Sequence, residues 1–344
     1  MAITLSSLPA LFPVVGLVAV LGFLIKFLNL IIIYLRPSRF SIYAHKSKSG
    51  QAPWALVTGA SRGIGYALVR ELASNGFNVV IHGRDSEKMS RVASELGEAF
   101  PNRSFRVLIA DAEEAAGKTC LNAPKQPGDS NPAPIDFDAI RHELQDLHLT
   151  VLINNAGGGP NNPVFMLLKE APEARVTGNV SLNALFPLHL TRVLLPTLIQ
   201  HAPSVVINIS SLAEPGLPLL VSYGASKAFL MSATRALHLE MVMEGLENSV
   251  EILGVRFGKV TGAGGCSDPE SIIIPSAETM AKATLARAGY ANGIVVGYWG
   301  HALFQWISEA LLLCLPRRIA DNFMVMAMRR QVEYYDGVKA VKAE

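Results

Sequence analysis

From Pro53 onward the chain repeats one pattern, in which a short β-rich apolar run is followed by a longer helical stretch. The runs are WALVTGA (54–60), NVVIHGR (78–84), FRVLIAD (105–111), TVLINNAG (150–157), SVVINISS (204–211), VEILGVRF (250–257) and IVVGYW (294–299). Buried strands alternating with helices predict an α/β fold with a doubly wound parallel sheet of about seven strands, covered on both faces. Ligands of such sheets bind beyond the carboxyl ends of the strands, so residues at those ends carry the functional reading. The segment 112–134, rich in Pro, Gly, Asn and Lys, breaks the rhythm and reads as a surface insertion.

The first run leads directly into TGASRGIG (Thr58 to Gly65) and then a helical pattern, YALVRELASNG. Gly59, Gly63 and Gly65 suit a tight turn, close backbone approach to a pyrophosphate and close packing of helix on strand, with Ser61, Arg62 and Ile64 in the same turn. A glycine triplet alone is weak, but the strand before and the helix after supply the context of a Rossmann-type dinucleotide site. An NAD site wants an acid at the tip of the second strand, whereas this chain has His82, Gly83 and Arg84 there, with Asp85 one residue later. Arg84 and Arg62 suit a 2′-phosphate, so the expected cofactor is NADP(H). Asp111 is placed to contact the adenine, and Asn155 to Gly157 to bring backbone close to the cofactor.

Tyr223 and Lys227 stand four apart in LLVSYGASKAFLMSATRAL and share a helix face. A phenol of ordinary pKa near 10 becomes a useful acid-base group when an ammonium and an oxidised nicotinamide favour its phenolate. Ser211, at the end of the fifth run, can donate to the same substrate oxygen, and Lys227 can also bind the nicotinamide ribose. On its own YxxxK is common in ordinary helices, where the tyrosine packs and the lysine reaches solvent.

TGASRGIG, NNAG, ISS and YGASK, in this order and each at a strand end, together resemble the short-chain dehydrogenase/reductase family over residues 53 to about 300. The resemblance implies a catalytic serine, tyrosine and lysine, and an asparagine that holds a water for proton relay. Asn183 matches that asparagine by its distance from Leu195 and Pro196. Spacing to the tyrosine points to Ser210 as the catalytic serine, and its place after the strand points to Ser211; the latter is preferred. The family's Pro-Gly after strand six is replaced by Phe257-Gly258-Lys259, with Val260 and Thr261 expected as cofactor contacts.

Upstream, Leu11 to Leu35 contains Lys26 as its only charge. About 20 apolar residues span a bilayer as a helix, so 1–35 reads as a single-pass anchor, although an interfacial hairpin also fits Lys26 and Pro13. MAITLSS lacks the basic start of a cleaved signal peptide. Arg36, Arg39, Lys46 and Lys48 follow the run while no basic residue precedes it, which puts the downstream domain in the cytosol. Residues 36–52 read as a basic linker, 53–300 as the catalytic domain and 301–344 as a C-terminal helical extension.

A net charge of +2 and the absence of a basic stripe argue against nucleic acid. Cys120, Cys266 and Cys314 are far apart and the histidines scattered, so no metal site is expected. The anchor, PGLPLLVSYGASKAF and GYWGHALFQWI look like the branch of microsomal 17-beta-hydroxysteroid dehydrogenases and very-long-chain 3-oxoacyl-CoA reductases. That implies a hydrophobic small-molecule substrate, a ketone or secondary alcohol of steroid, terpenoid or long-chain 3-oxoacyl type, and an endoplasmic reticulum membrane. The apolar 302–316 stretch suits a pocket wall, lipid contact or a core helix. Oxidation of a terpenoid or polyketide alcohol and a non-catalytic nucleotide-binding scaffold stay open, as does a homo-oligomer.

Overall fold

Seven strands align in one direction because their β-branched and aliphatic side chains alternate between two apolar layers. In the computed structural model, which describes residues 8–115, 135–159, 163–264, 266 and 268–343, these are β1 (Trp54–Val57), β2 (Asn78–Gly83), β3 (Phe105–Ile109), β4 (Leu149–Asn154), β5 (Ser204–Ser211), β6 (Val250–Phe257) and β7 (Ile294–Val296). They form a single parallel sheet in the order β3-β2-β1-β4-β5-β6-β7. The order turns back at β1, so the ends of β1 and β4 flank the switch point where a ligand can enter. β7 is shorter than expected over 294–299, because Trp299 already opens a helix. Most of the insertion read over 112–134, with Cys120, lies outside the described residues.

The alternation is visible residue by residue. Ala55, Val57, Val79, Ile81, Val151, Ile153, Val205 and Ile207 face one core, closed by α2 (Gly63–Ser74), α3 (Ser86–Ala99) and α8 (Ala277–Leu285). Leu56, Val80, Leu149, Leu152, Val206 and Ile252 face the other, closed by α4 (Phe137–Glu143) and α6 (Phe186–Gln200). Between β5 and β6 runs α7 (Val221–Met243). A polar thread crosses the second core: Asn154 Nδ2 donates to Asn208 Oδ1 (2.8 Å) and Thr191 Oγ1 (2.9 Å), and Asn208 Nδ2 donates to Thr234 Oγ1 (2.8 Å). It couples β4, β5, α6 and α7, and the low dielectric around it makes each bond costly to break.

The chain separates into two compact units, 1–38 and 39–344. The first contains α1 (Leu8–Leu35); its segment Gly16–Leu35 has mean hydropathy 2.5, is long and apolar enough to cross a membrane, and has none of its side chains buried. The second begins earlier than Pro53. Phe40 and Tyr43, on a short 3-10 turn (Phe40–Tyr43), are each 2% exposed and belong to the first core. Phe40 packs on Phe77, with ring centroids 5.5 Å apart. Tyr43 donates its hydroxyl to Glu251, which also accepts the N–H groups of Gly289 (2.6 Å) and Ala291 (2.8 Å). The span read as a linker is therefore stitched across the amino ends of β4 and β6. Beyond β7 lie α9 (Trp299–Leu313) and α10 (Arg317–Ala343).

Replacing Phe40 by Ala empties a fully enclosed ring site and is expected to destabilise the 39–344 unit by about 3 kcal/mol. Chemical denaturation of the purified chain measures it; a loss below about 0.5 kcal/mol, the usual size for a surface change, would make this turn a loose tether after all.

Candidate active site

β1 ends at Val57, and the turn Thr58 to Arg62 delivers the chain into α2. Gly59 and Gly63 take positive φ values of 67° and 57°. At Gly65 the requirement is close approach: a Cβ there would lie 2.1 Å from the Gly59 carbonyl oxygen. The helix thus sits directly on its own turn, with its first N–H groups directed outward at the sheet's carboxyl edge. Arg62 is exposed at the N-cap in extended backbone and makes no side-chain cap, which leaves those donors to an anion. Ser61 is half-buried in the turn, and Ile64 packs against the first core.

The turn after β4 is tied to this one through Thr58, which is 1% exposed. Its hydroxyl accepts the N–H groups of Asn155 (2.9 Å) and Ala156 (2.8 Å), while Asn155 Nδ2 donates to the Thr58 carbonyl (2.9 Å). Asn155 is engaged in holding the two turns together. Below them His82, 2% exposed, accepts the Gly59 N–H at Nδ1 (3.4 Å) and stacks on Phe186. Burial lowers its pKa to about 4.

At the tip of β2 the sequence missed a partner. Arg84 lies 3.2 Å from Glu113 and 3.8 Å from Asp111, so the arginine expected to face a phosphate is held by two acids. Asp111 accepts the Glu113 N–H (3.1 Å), and Asp85 caps α3 by accepting the Lys88 N–H (3.0 Å). Both carboxylates thus do local capping work.

The chemical residues converge from three elements. α5 (Glu173–Val180) runs into α6 through a π-turn, Ser181–Leu185, that carries Asn183. Such single wide turns insert a residue and often mark functional positions. Asn183 is fully buried; its Oδ1 accepts the Gly158 N–H (3.0 Å), and its Nδ2 donates to the carbonyls of Gly158 (3.1 Å) and Asn179 (2.9 Å). A Cβ on Gly157 would lie 2.7 Å from Asn183 Oδ1 and 2.8 Å from Lys227 Nζ, so both polar ends surround that glycine. Lys227, 4% exposed, donates to the Ile209 carbonyl (2.9 Å), and its Nζ stands 6.0 Å from the centre of the Tyr223 ring.

Ser211 and Ser210 point to opposite sides of β5. The Ser211 hydroxyl accepts the Ala213 N–H (3.2 Å) and stands near enough to the Tyr223 phenol to act on its acidity. Ser210, 3% exposed, donates instead to Glu214 Oε1 (2.6 Å). Burial raises the Tyr223 pKa, the neighbouring Ser211 hydroxyl opposes that, and the Glu214 charge adds to it. For Lys227 burial dominates, and its pKa falls to about 8. The phenol is therefore protonated at neutral pH.

After β6 comes the turn that carries Val260 and Thr261. Thr261 donates its hydroxyl to the Asp268 carbonyl (2.5 Å) and its N–H to the Pro275 carbonyl (3.0 Å), and Val260 is 4% exposed in the first core. The polar groups of Thr261 face inward, so in this structure they are committed to the loop. His301, from the first turn of α9, holds this turn from the other side: its Nδ1 accepts the Gly258 N–H (3.1 Å), and its Nε2 lies 3.0 Å from the Lys259 carbonyl. A lone histidine in an apolar run gave no signal of that role.

A family model described as short chain dehydrogenase matches residues 53–123 and 137–262. A very-long-chain 3-oxoacyl-CoA reductase of Coccidioides immitis (strain RS) is 28% identical over 81% of this chain and 77% of that protein. One from Anas platyrhynchos is 30% identical over 76% of this chain and 77% of its own length. Among solved structures, a metagenomic short-chain oxidoreductase in complex with NADP is 26% identical, with a TM-score of 0.52, over 71% of this chain and 96% of that one.

His82 predicts a pH dependence of stability. Its folded pKa lies below the unfolded value of 6.5, so the unfolded chain binds the extra proton between those values and stability is lost as pH falls. From pH 7 to pH 5 this one group should remove about 2 kcal/mol. Denaturation of the wild type and of His82→Asn at both pH values measures it; an equal fall in the two proteins would acquit the imidazole.

Proposed function

The chain belongs to the short-chain dehydrogenase family, and on that footing we propose that it is an NADPH-dependent reductase of long-chain 3-oxoacyl thioesters at a membrane. One observation carries the reading: the Tyr223 phenol, kept protonated by burial, stands beside the Ser211 hydroxyl and one helical turn from the ammonium of Lys227. Two hydroxyls and a nearby cation form a site for a carbonyl oxygen that is about to become an alkoxide.

The glycine turn fits a dinucleotide, since Gly65 lets α2 pack directly on its own turn and Arg62 leaves the first backbone donors of α2 without a side-chain cap. Gly59, Ser61, Arg62, Gly63 and Ile64 would hold the pyrophosphate side, and Lys227 the nicotinamide ribose. Bound NADPH supplies the hydride. Ser211 and Tyr223 bind the ketone oxygen, and Tyr223 gives it a proton as charge builds there. Lys227 stabilises the phenolate that remains, and Asn183 shapes the Gly158 backbone on the path by which the proton is replaced.

For NADPH over NADH, the support is the lack of an acid at the end of β2, the use of Asp85 as a helix cap, and exposed Arg62 beside the turn. Arg84 serves that role only by leaving Glu113. The NADP-bound relative agrees. The 3-oxoacyl substrate rests on the activity for which the two relatives are named. The apolar α1, together with exposed Trp299, Phe304, Ile307 and Leu311 on α9, supports an enzyme that works where lipids partition, with the endoplasmic reticulum as the proposed membrane.

Detergent-solubilised protein should oxidise NADPH with very-long 3-oxoacyl-CoA faster than with polycyclic ketones, and the reverse ranking would transfer the reading to steroid-like substrates. Tyr223→Phe should lower kcat about a hundredfold or more while NADPH binding persists. Arg62→Ala should weaken NADPH about tenfold and leave NADH nearly unaffected; an equal effect on both would remove Arg62 from the phosphate site.

A further inference from the structure

Between the end of β5 and the start of α7 lies a carboxylate that the reaction itself does not use. Glu214 Oε1 accepts the Ser210 hydroxyl at 2.6 Å, and Glu214 Oε2 accepts Arg256 Nε at 2.8 Å. Ser210 and Arg256 are register partners across β5 and β6, so the carboxylate bridges two facing strand positions just before the sheet ends. The Glu214 side chain is 11% exposed and that of Arg256 29%.

The same loop is pressed against the catalytic helix. A Cβ on Gly224, the residue after Tyr223, would lie 2.9 Å from the Ala213 carbonyl oxygen and 3.5 Å from Gly216 Cα. Ser210 extends the connection, since its hydroxyl also lies 3.3 Å from the Lys227 carbonyl. The groups facing Glu214 are thus Ser210 from β5, Arg256 from β6, and Tyr223 and Lys227 from α7. A mostly buried negative charge acts on both of the last two, in the sense that keeps each protonated.

We propose that Glu214, clamped by Arg256 and Ser210, is a positioning residue that sets the charge felt by Tyr223 and Lys227 and holds the serine loop against their helix. It touches neither substrate nor cofactor. Its electrostatic action favours the protonated phenol, the form that reduction of a ketone requires, so the proposal rests on the reductase reading given above. Arg256 moderates the effect, because its cation partly cancels the carboxylate.

The two members of the pair therefore have opposite signatures. Glu214→Gln keeps the shape and removes the negative charge, so Tyr223 should lose its proton at lower pH, by roughly one unit. Arg256→Gln removes the moderating cation, and the shift should run to higher pH. A purely structural clamp would damage both variants alike. Two readouts separate this idea from the reductase reading. The first is the pH profile of kcat/KM with NADPH and a long 3-oxoacyl-CoA. The second needs no substrate: ultraviolet titration of the full-length protein, with the Tyr223→Phe signal subtracted, follows the phenol directly. Melting temperature identifies any variant that fails to fold, and Glu214→Asp, which retains the charge, then serves in its place and should leave the Tyr223 titration close to wild type. Opposite shifts in the titration support the proposal even if 3-oxoacyl-CoA proves the wrong substrate. Unchanged Tyr223 titration in folded Glu214→Gln, shifts of the same sign in both glutamine variants, or a Glu214→Asp titration displaced as far as a charge loss would displace it, would each overturn it.

Discussion

The hydroxyl of Thr58 ties together the two strand ends on which everything else at the carboxyl edge of the sheet stands. By accepting the N–H groups of Asn155 and Ala156 it makes the glycine turn after β1 and the turn after β4 into one block. Asn155 closes the block from the other side. The placement of Gly157, and through it the approach of Asn183 and Lys227, follows from that block. At 1% exposure these bonds have no water to compete with them, so the geometry is specified by a few short polar contacts.

Burial is the second determinant, and it acts on charge. Lys227 is taken out of water and given the Ile209 carbonyl in exchange, which lowers its pKa without neutralising it at physiological pH. Tyr223 experiences the opposite pull, because removal from water favours its neutral form. A low-dielectric environment thus drives the two acidities apart, making the ammonium the stronger acid and the phenol the weaker one. The polar thread Asn154–Asn208–Thr234 secures α7 from beneath, so these two side chains ride on a helix that is fixed along its length.

Much of this was legible in the residues because it is locally encoded. The strand runs declare themselves by β-branched content, the glycine turn by spacing, and Tyr223 and Lys227 by one helical turn. The different partners of Ser210 and Ser211 needed coordinates, since a strand sends neighbours to opposite sides and only the fold says which groups each one meets. What stayed hidden depends on pairings across long stretches of chain. Tyr43 finds Glu251 across 208 positions, and Arg84 finds Glu113 across 29. Phe40 and Tyr43 sit among polar residues with no periodic pattern, so nothing in that window distinguishes a tether from a core anchor. The partner of Thr261 was hidden for a similar reason: its hydroxyl donates to the Asp268 carbonyl, a contact decided by loop conformation.

The bridge from His301 to the turn after β6 gives the last helices a different standing from that of an appendage. An imidazole borrowed from beyond the final strand braces a stretch, 257–262, that contains no proline of its own. Part of the rigidity of that loop is thus outsourced to a distant segment, so a change at the start of α9 is felt in the loop as well.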